Sequence, residues 1–282
     1  TWKKQVGRDD FVTLSKTFKI VPRGIGLVIG CSTFPTWNTY PGLFASLVTG
    51  NAVIVKPHPG AILPLAITVD ICQSVLVEAG FNANLVTLVA DTPDSPVTAC
   101  LVENDNINII DYTGGSAYGD WVEANAGNAV VYSEKAGVNS IIIDSVEQMK
   151  AVSGNLAFSL CLYSGQMCTS PQNIFIPRDG IKTTDGPMSF DDVASAIVKG
   201  VDWMLSDQGR ANEVLGAIQN HATAERIDSA DGKVLREGDA IEHAMFGEAR
   251  TRSVKIIKLD ASQKEIFEQE MFGPLVYIIA TD

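Results

Sequence analysis

The sequence predicts an α/β fold centred on a parallel sheet with helices on both faces. Two observations carry that reading. Over the first two-thirds of the chain, short apolar runs alternate with segments of helical periodicity, the pattern of strands joined by helical crossovers. The chain is 282 residues long, 46% hydrophobic and only 19% charged, enough to bury a substantial core in one large or two medium domains. The same figures exclude a disordered, collagen-like or coiled-coil chain.

Taken in order, residues 24–29 (GIGLVI) read as a strand, 40–48 as a helix and 52–55 (AVIV) as a second strand. A helix across 61–78 ends at Gly80, a C-cap by its place after the last apolar repeat. Residues 85–89, 107–110, 129–131 and 140–143 read as further strands, with helical segments between most of them. Beyond about residue 137 the texture changes: a helical pattern covers 146–163, a strand 173–176, and a loop rich in Asp, Gly and Thr runs over 177–187. Ser189 opens an amphipathic helix in which Phe190, Val193, Ala194, Ile197, Val198, Val201, Met204 and Leu205 recur at helical spacing, with Asp192 at the capping-box position. Residues 210–252 are polar and undecided, and strands return at 254–257 and 275–279.

The formal net charge of −12 disfavours nucleic acid or an anionic membrane as partner, while leaving room for one basic pocket. Five cysteines without a C-x-x-C pair suit a reducing, cytoplasmic compartment better than a disulfide framework. His58, His221 and His243 are too dispersed for H-E-x-x-H or a compact zinc motif, so no metal is expected and a Ser-His-Asp triad is a poor starting point. Residues 24–55 hold no charge, yet Pro35, Pro41 and several polar residues interrupt them. They read as strand, loop and helix instead of a membrane span, and the Thr-Trp-Lys-Lys start carries no apolar leader-like run. A soluble protein is expected.

No G-x-G-x-x-G or Walker A pattern occurs, since Gly24, Gly26 and Gly30 are wrongly spaced. Five individually weak features could carry chemistry. Lys56-Pro57 follows the second strand, placing an ammonium at the carboxyl end of a parallel sheet, where ligands bind. The run from Thr113 through Gly114 and Gly115 to Gly119 leads from strand to helix; it is either a phosphate-binding turn or a plain connection. Cys168, after Gly165-Gln166-Met167, is a nucleophile or a core thiol. Glu134 ends a strand beside Lys135, as a catalytic carboxylate or a solvated one. Glu270, before Met271-Phe272-Gly273-Pro274, would by itself be a surface charge near a turn.

Together these features resemble the aldehyde dehydrogenase superfamily, whose motifs occur in the same order. The family's K-P-[SA]-E stands here as Lys56-Pro57-His58-Pro59, F-T-G-S as Tyr112-Thr113-Gly114-Gly115, and E-L-G-G as Glu134-Lys135-Ala136-Gly137. G-Q-x-C stands as Gly165 to Cys168, and E-[EI]-F-G-P as Glu270 to Pro274. The spacing from Glu134 to Cys168, 168 − 134 = 34 residues, fits the family. The resemblance, which runs from Pro22 to the C-terminus, implies a Rossmann-type parallel-sheet cofactor domain over 1–136, partial at its N-terminus. An α/β catalytic domain, truncated at its C-terminus, would cover 137–282. Against the family 282 residues is short, so segments are expected before Thr1 and after Asp282, including the strand that usually mediates dimerisation. A homo-oligomeric full-length protein is expected, and the chain alone is expected to be poorly active and to expose apolar surface. The stretches 134–139 and 163–172 are most similar to the phenylacetate-degradation branch, assigned to ring opening or oxidation of a ring-derived aldehyde.

The resemblance further implies NAD(P)-dependent oxidation of an aldehyde to a carboxylic acid. In that scheme the Cys168 thiolate attacks the aldehyde carbon, hydride passes to the nicotinamide, and Glu134 activates water to hydrolyse the thioester. Lys56 is implied to hold the adenosine ribose and Glu270 the nicotinamide ribose, with Phe272 also on the cofactor. Thr113, Gly114, Gly115 and Gly119 are implied to face the pyrophosphate. Ungapped counting places Thr33 where the family has the Asn of its oxyanion hole, with Asn38 as the alternative if the loop is rearranged. Loss of such a donor costs on the order of 100-fold in rate. Pro59 replaces a ribose-binding Glu, which removes repulsion against a 2′-phosphate and favours NADP over NAD. Two competing readings are a catalytically silent binding or structural protein, suggested by Thr33, and an acyl-phosphate reductase, in which Glu134 has no evident role.

Overall fold

A computed structural model describes residues 1–135 and 137–282; Ala136, part of the Glu134 motif, lies outside the described residues. The chain opens with an antiparallel hairpin, β1 (Trp2–Gln5) and β2 (Phe11–Leu14), in a segment where no element was expected. There follow β3 (Ile25–Ile29), α1 (Pro35–Val48), β4 (Ala52–Lys56), α2 (Ile62–Glu78), β5 (Val86–Leu88), α3 (Thr98–Val102), β6 (Ile107–Gly114), α4 (Ser116–Asn125) and β7 (Val130–Lys135). The strands from β3 to β7 form one sheet of order β5-β4-β3-β6-β7 with every neighbouring pair parallel. Strand order reverses between β3 and β6, so a crevice opens at their carboxyl ends.

Burial on both faces explains the apolar strands. Leu27 and Ile110 pack with Val102 and Val122 of α3 and α4, whereas Val28 and Val53 pack with Leu43 and Leu65 of α1 and α2. The charge-free stretch becomes β3, α1 and β4, and among the described residues no helix is long and apolar enough to cross a membrane. α1 starts at Pro35, earlier than its apolar spacing indicates. Proline is accommodated in the first helical turn, where its missing N–H has no intrahelical partner. That early start brings Asn38 into the helix. On the outer face of α2, Leu63, Ile67, Ile71 and Val75 recur every fourth residue as an exposed apolar stripe.

Between β7 and the next strand the chain leaves the first sheet for a second. This part contains β8 (Asn139–Ile142), α5 (Met149–Cys161), β9 (Pro171–Pro177), β10 (Ile181–Thr183), β11 (Gly186–Met188), α6 (Phe190–Leu205), α7 (Gln208–Val214) and α8 (His221–Asp228). It continues with β12 (Lys233–Arg236), β13 (Ala240–Ile241), β14 (Thr251–Arg252), β15 (Lys255–Asp260), α9 (Lys264–Phe267) and β16 (Leu275–Thr281). Its sheet has the order β12-β15-β16-β9-β8, parallel except for edge strand β12. The segment expected as a loop at 177–187 contains the β10–β11 hairpin. Ser189 caps α6 by accepting the Asp192 amide, as the spacing predicts. Leu160, Cys161, Ile174, Ile197 and Val201 share one core, while Ile227, Phe267 and Tyr277 share another.

Candidate active site

The carboxyl end of the first sheet and the loop entering β9 enclose a cavity of about 750 Å³. Cys168, Glu134, Thr33, Lys56, Thr113, Gly114, Gly115, Glu270 and Phe272 all line it. Gly119 is not among its lining residues. It lies one turn into α4, where a Cβ would stand 2.6 Å from the Lys135 stem, so its smallness serves helix packing.

Unusual backbone carries Cys168 to the cavity. After α5, Tyr163, Ser164 and Gly165 have φ of 54°, 52° and 64°. A left-handed backbone costs a non-glycine residue ~1–2 kcal/mol, so neighbouring groups must hold it. Tyr163 Oη donates to the Thr33 carbonyl at 2.9 Å, and Ser164 Oγ donates to the Gly216 carbonyl at 2.9 Å. Gln166, almost fully buried, donates to the Ala217 carbonyl at 2.8 Å and accepts the Gln219 amide at 3.0 Å. Asn139 Nδ2, on β8, donates to the Cys168 carbonyl at 2.5 Å. The thiol itself is exposed.

The Glu270 loop is tied to the strand that follows Cys168. Gln172 on β9 accepts the Met271 amide at 2.8 Å and donates to the Gln269 carbonyl at 2.8 Å. Glu270 Oε1 is buried and has no hydrogen-bond partner among the described residues. Burial pushes this carboxyl above its ordinary value, opposed by the charge of Arg226. Arg226 also lines the cavity, with Nη2 donating to the Met271 carbonyl at 3.1 Å.

Across the cavity, Lys56 Nζ stands 2.6 Å from Asp91 with both side chains 2% exposed, and donates to the Pro57 carbonyl at 2.7 Å. Burial works to raise the Asp91 carboxyl, but hydrogen bonds from Lys56 and the Val97 amide, with the Lys56 and His58 charges, hold it below its usual range. Burial and then the Lys56 charge lower His58. Tyr112 Oη donates to the Gly115 carbonyl at 2.9 Å and fixes the turn, and a Cβ on Gly114 would collide with that hydroxyl. A Cβ on Gly115 would meet nothing within 4 Å, so the N-terminus of α4 opens onto space. A nicotinamide dinucleotide fits this donor set. The unpartnered Glu270 oxygen can accept a ribose hydroxyl, and an open helix N-terminus suits a pyrophosphate.

Both oxyanion candidates are present. Thr33 Oγ1 and Asn38 Oδ1 each lie 3.8 Å from Cys31 Sγ, and among the described residues no acceptor is bonded to Asn38 Nδ2. Asn38 and Glu134 also line an adjoining cavity of about 510 Å³, with Trp37, Pro41, Asp111 and Tyr132. Among the described residues no group of three or more His, Cys, Asp and Glu could hold a metal ion.

Sequence reasoning missed Asp91, Asn139, Gln172, Arg226 and Asp111. Asp111 left a signal, as a lone charge inside the apolar run of β6; the others become visible only through contacts distant in sequence.

The chain belongs to the aldehyde dehydrogenase family, whose model it matches over residues 9–282. It is similar to an NAD-dependent aldehyde dehydrogenase from Burkholderia multivorans, 54% identical with a TM-score of 0.91, covering 100% of this chain and 51% of that one. The NADP complex of glyceraldehyde-3-phosphate dehydrogenase GapN from Methanocaldococcus jannaschii shares the fold at 20% identity and a TM-score of 0.68, over 93% of this chain and 55% of that one. Among curated proteins, N-succinylglutamate 5-semialdehyde dehydrogenase of Burkholderia mallei is 28% identical over 267 residues, 92% of this chain and 52% of its own. The chain thus spans about half the length of these relatives.

Proposed function

We propose that the protein oxidises an aldehyde to a carboxylic acid through an acyl group carried on Cys168, with a nicotinamide dinucleotide as cofactor. The observation that carries this reading is the meeting of Cys168 and Glu134, from different parts of the chain, in one cavity with Lys56, the Gly115 turn and Glu270. The chain over 1–136 acts as cofactor domain and over 137–282 as catalytic domain. Lys56 and Glu270 hold the two riboses, Thr113, Gly114 and Gly115 face the pyrophosphate, and Phe272 lines the same wall. When bound, the nicotinamide supplies the hydride acceptor.

The chain's own residues do the rest. Cys168 Sγ attacks the aldehyde carbon, and Glu134 takes the thiol proton. Asn38 Nδ2 donates to the developing oxyanion, in preference to the shorter Thr33 hydroxyl. Once the thioester stands on Cys168 and Glu134 has released the thiol proton to solvent, Glu134 removes a proton from the attacking water.

Trp37, Pro41 and Tyr132, on the wall of the adjoining cavity, suit the tail of an uncharged ring-derived aldehyde better than one bearing carboxylates. This supports the phenylacetate-degradation reading, together with the similarity of stretches 134–139 and 163–172. Pro59 supports NADP, whereas the Asp91 charge behind Lys56 limits the preference, so both nicotinamides are expected to serve.

Cys168→Ala is expected to abolish thioester formation and Glu134→Gln to let the thioester accumulate, read by mass spectrometry of the intact chain. Undiminished turnover in both variants would overturn the proposal. Cofactor binding with no reduced nicotinamide across a panel of aldehydes would instead favour a silent binding protein.

A further inference from the structure

Asp111 has no part in the steps assigned to Cys168 and Glu134, and it does not line the cavity of Cys168. The parallel register sets Asp111 opposite Tyr132 and Thr113 opposite Glu134, so these four side chains project from one face of the sheet. That face looks onto α1, where Gly42 makes room: a Cβ there would lie 2.5 Å from Asp111 Cγ. Asp111 and Glu134 share the cavity of about 510 Å³, and Glu134 alone of the two also faces the cavity of Cys168.

Among the described residues no hydrogen bond or ion pair reaches the Asp111 carboxylate. Among the described residues the elements around it offer no free cation. α1 and β3 carry no charged residue, their titratable groups being Tyr40 and, just past β3, Cys31. β6 adds Tyr112, and β7 adds Tyr132 and Lys135, whose ammonium is taken by Asp120 and Glu123. The fold does not need an acid here, since the neighbouring strand places Val28 opposite Asp111. An unpaired, partly buried carboxyl beside another carboxylate is costly unless it serves chemistry.

We propose that Asp111 is the proton-accepting partner of Glu134, passing the proton of the hydrolytic water to solvent through the cavity beside α1. The proposal rests on Glu134 being the base. In the step, the water oxygen bonds to the thioester carbon, the C–S bond breaks, and Cys168 leaves as thiolate. One water proton lies on Glu134, moves to the Asp111 carboxylate and goes on to solvent; nothing is oxidised or reduced. Asp111 acts through Glu134 without touching the aldehyde, as a positioning residue for the proton. Burial and then the Glu134 charge push its carboxyl up to about 6, so at neutral pH it is ionised enough to accept, and in acid it is blocked.

The test is the pH dependence of thioester hydrolysis in single turnover, for the unaltered chain, Asp111→Asn, Asp111→Glu and Glu134→Gln. Asp111→Asn is expected to slow hydrolysis about tenfold, a modest share of a general-base effect. It should erase the limb near pH 6 and leave thioester formation unchanged. Asp111→Glu is expected to restore the limb. An unaltered profile in Asp111→Asn, with hydrolysis lost in Glu134→Gln, overturns the relay alone. Undiminished hydrolysis in Glu134→Gln overturns the base assignment itself. A second measurement leaves Asp111 in place: its carboxyl, followed by carbon-detected NMR, is expected to titrate lower in Glu134→Gln, and an unmoved titration overturns the coupling.

Discussion

Gly165 and Gly273 cross backbone against backbone: a Cβ on Gly165 would run into the Gly273 carbonyl, closer than real Cβ atoms approach anything. The crossing joins the loop of Cys168 to the loop of Glu270. Gly165→Ala is therefore expected to damage both functions at once. Its φ of 64° costs a side chain ~1–2 kcal/mol, and the collision displaces one loop or the other. Thermal melting, alkylation of Cys168 and nicotinamide titration are all expected to suffer. Native nicotinamide affinity with an impaired thiol would show that the loops move independently.

Cofactor preference is expected to turn on Pro59. Lys56 already shares its charge with Asp91, so a second carboxylate at 59 would leave the site unable to balance a 2′-phosphate. Pro59→Glu is expected to lower kcat/KM for NADP relative to NAD by about tenfold, equivalent to ~1.4 kcal/mol of repulsion in a partly screened site. An unchanged ratio would place the 2′-hydroxyl elsewhere.

Much of this geometry was legible because it follows from periodicity and chain order. The apolar runs at Val53 and Ile110 predict a doubly covered sheet, and five ordered motifs converge on one cavity. What escaped is what has no period. The start of α1 at Pro35 was hidden because Thr36-Trp37-Asn38-Thr39 lacks an apolar repeat, yet it moves Asn38 onto the cavity wall. Gln172 and Arg226 act through backbone groups of residues far along the chain, which no local pattern encodes. Gly119 shows the opposite case: it belongs to a glycine-rich motif, yet its close neighbours are the Lys135 stem and the Tyr112 ring.

The two oxyanion candidates separate by mutation. Among the described residues no acceptor is bonded to the Asn38 amide nitrogen, whereas the Thr33 hydroxyl is on a shorter side chain and lies 3.8 Å from Cys31 Sγ. Asn38→Ala is expected to slow thioester formation by on the order of 100-fold, as loss of an oxyanion donor does elsewhere. Thr33→Ala is expected to cost less than about tenfold on the same scale. The reverse order in single-turnover rates would assign the role to Thr33.

Lys255 holds the helix that presents Arg226. Its buried ammonium donates to the carbonyls of Ile227, Asp228 and Ala230 at 3.1, 3.4 and 3.3 Å, closing the C-terminus of α8 where the dipole favours a cation. Lys255→Met keeps the stem and removes the donor. It is expected to cost ~1–3 kcal/mol through carbonyls left unsatisfied, and to weaken nicotinamide binding because Thr223 and Arg226 shift. Denaturant melts and a binding titration check both. Full stability would mean that water replaces the ammonium at no cost.

Asp111 and Asp91 carry opposite pH dependences. The Asp91 carboxyl is lowered by folding, so its contribution is present above the unfolded value and is lost as pH falls through the folded one. The Asp111 carboxyl is raised to about 6, so between the unfolded value and 6 the folded chain binds more protons than the unfolded one. Stability then falls as pH rises through that window, and the penalty is complete above it. Asp111→Asn, which cannot ionise, is expected to melt higher than the unaltered chain at pH 8. The advantage should shrink on acidification and vanish near pH 4, where Asp111 is neutral as well. A difference independent of pH would mean that packing against Gly42, and not charge, sets the effect. A gain in stability at pH 8 that comes with slowed hydrolysis would tie the cost of this carboxyl to its use, the trade expected of a residue kept for function.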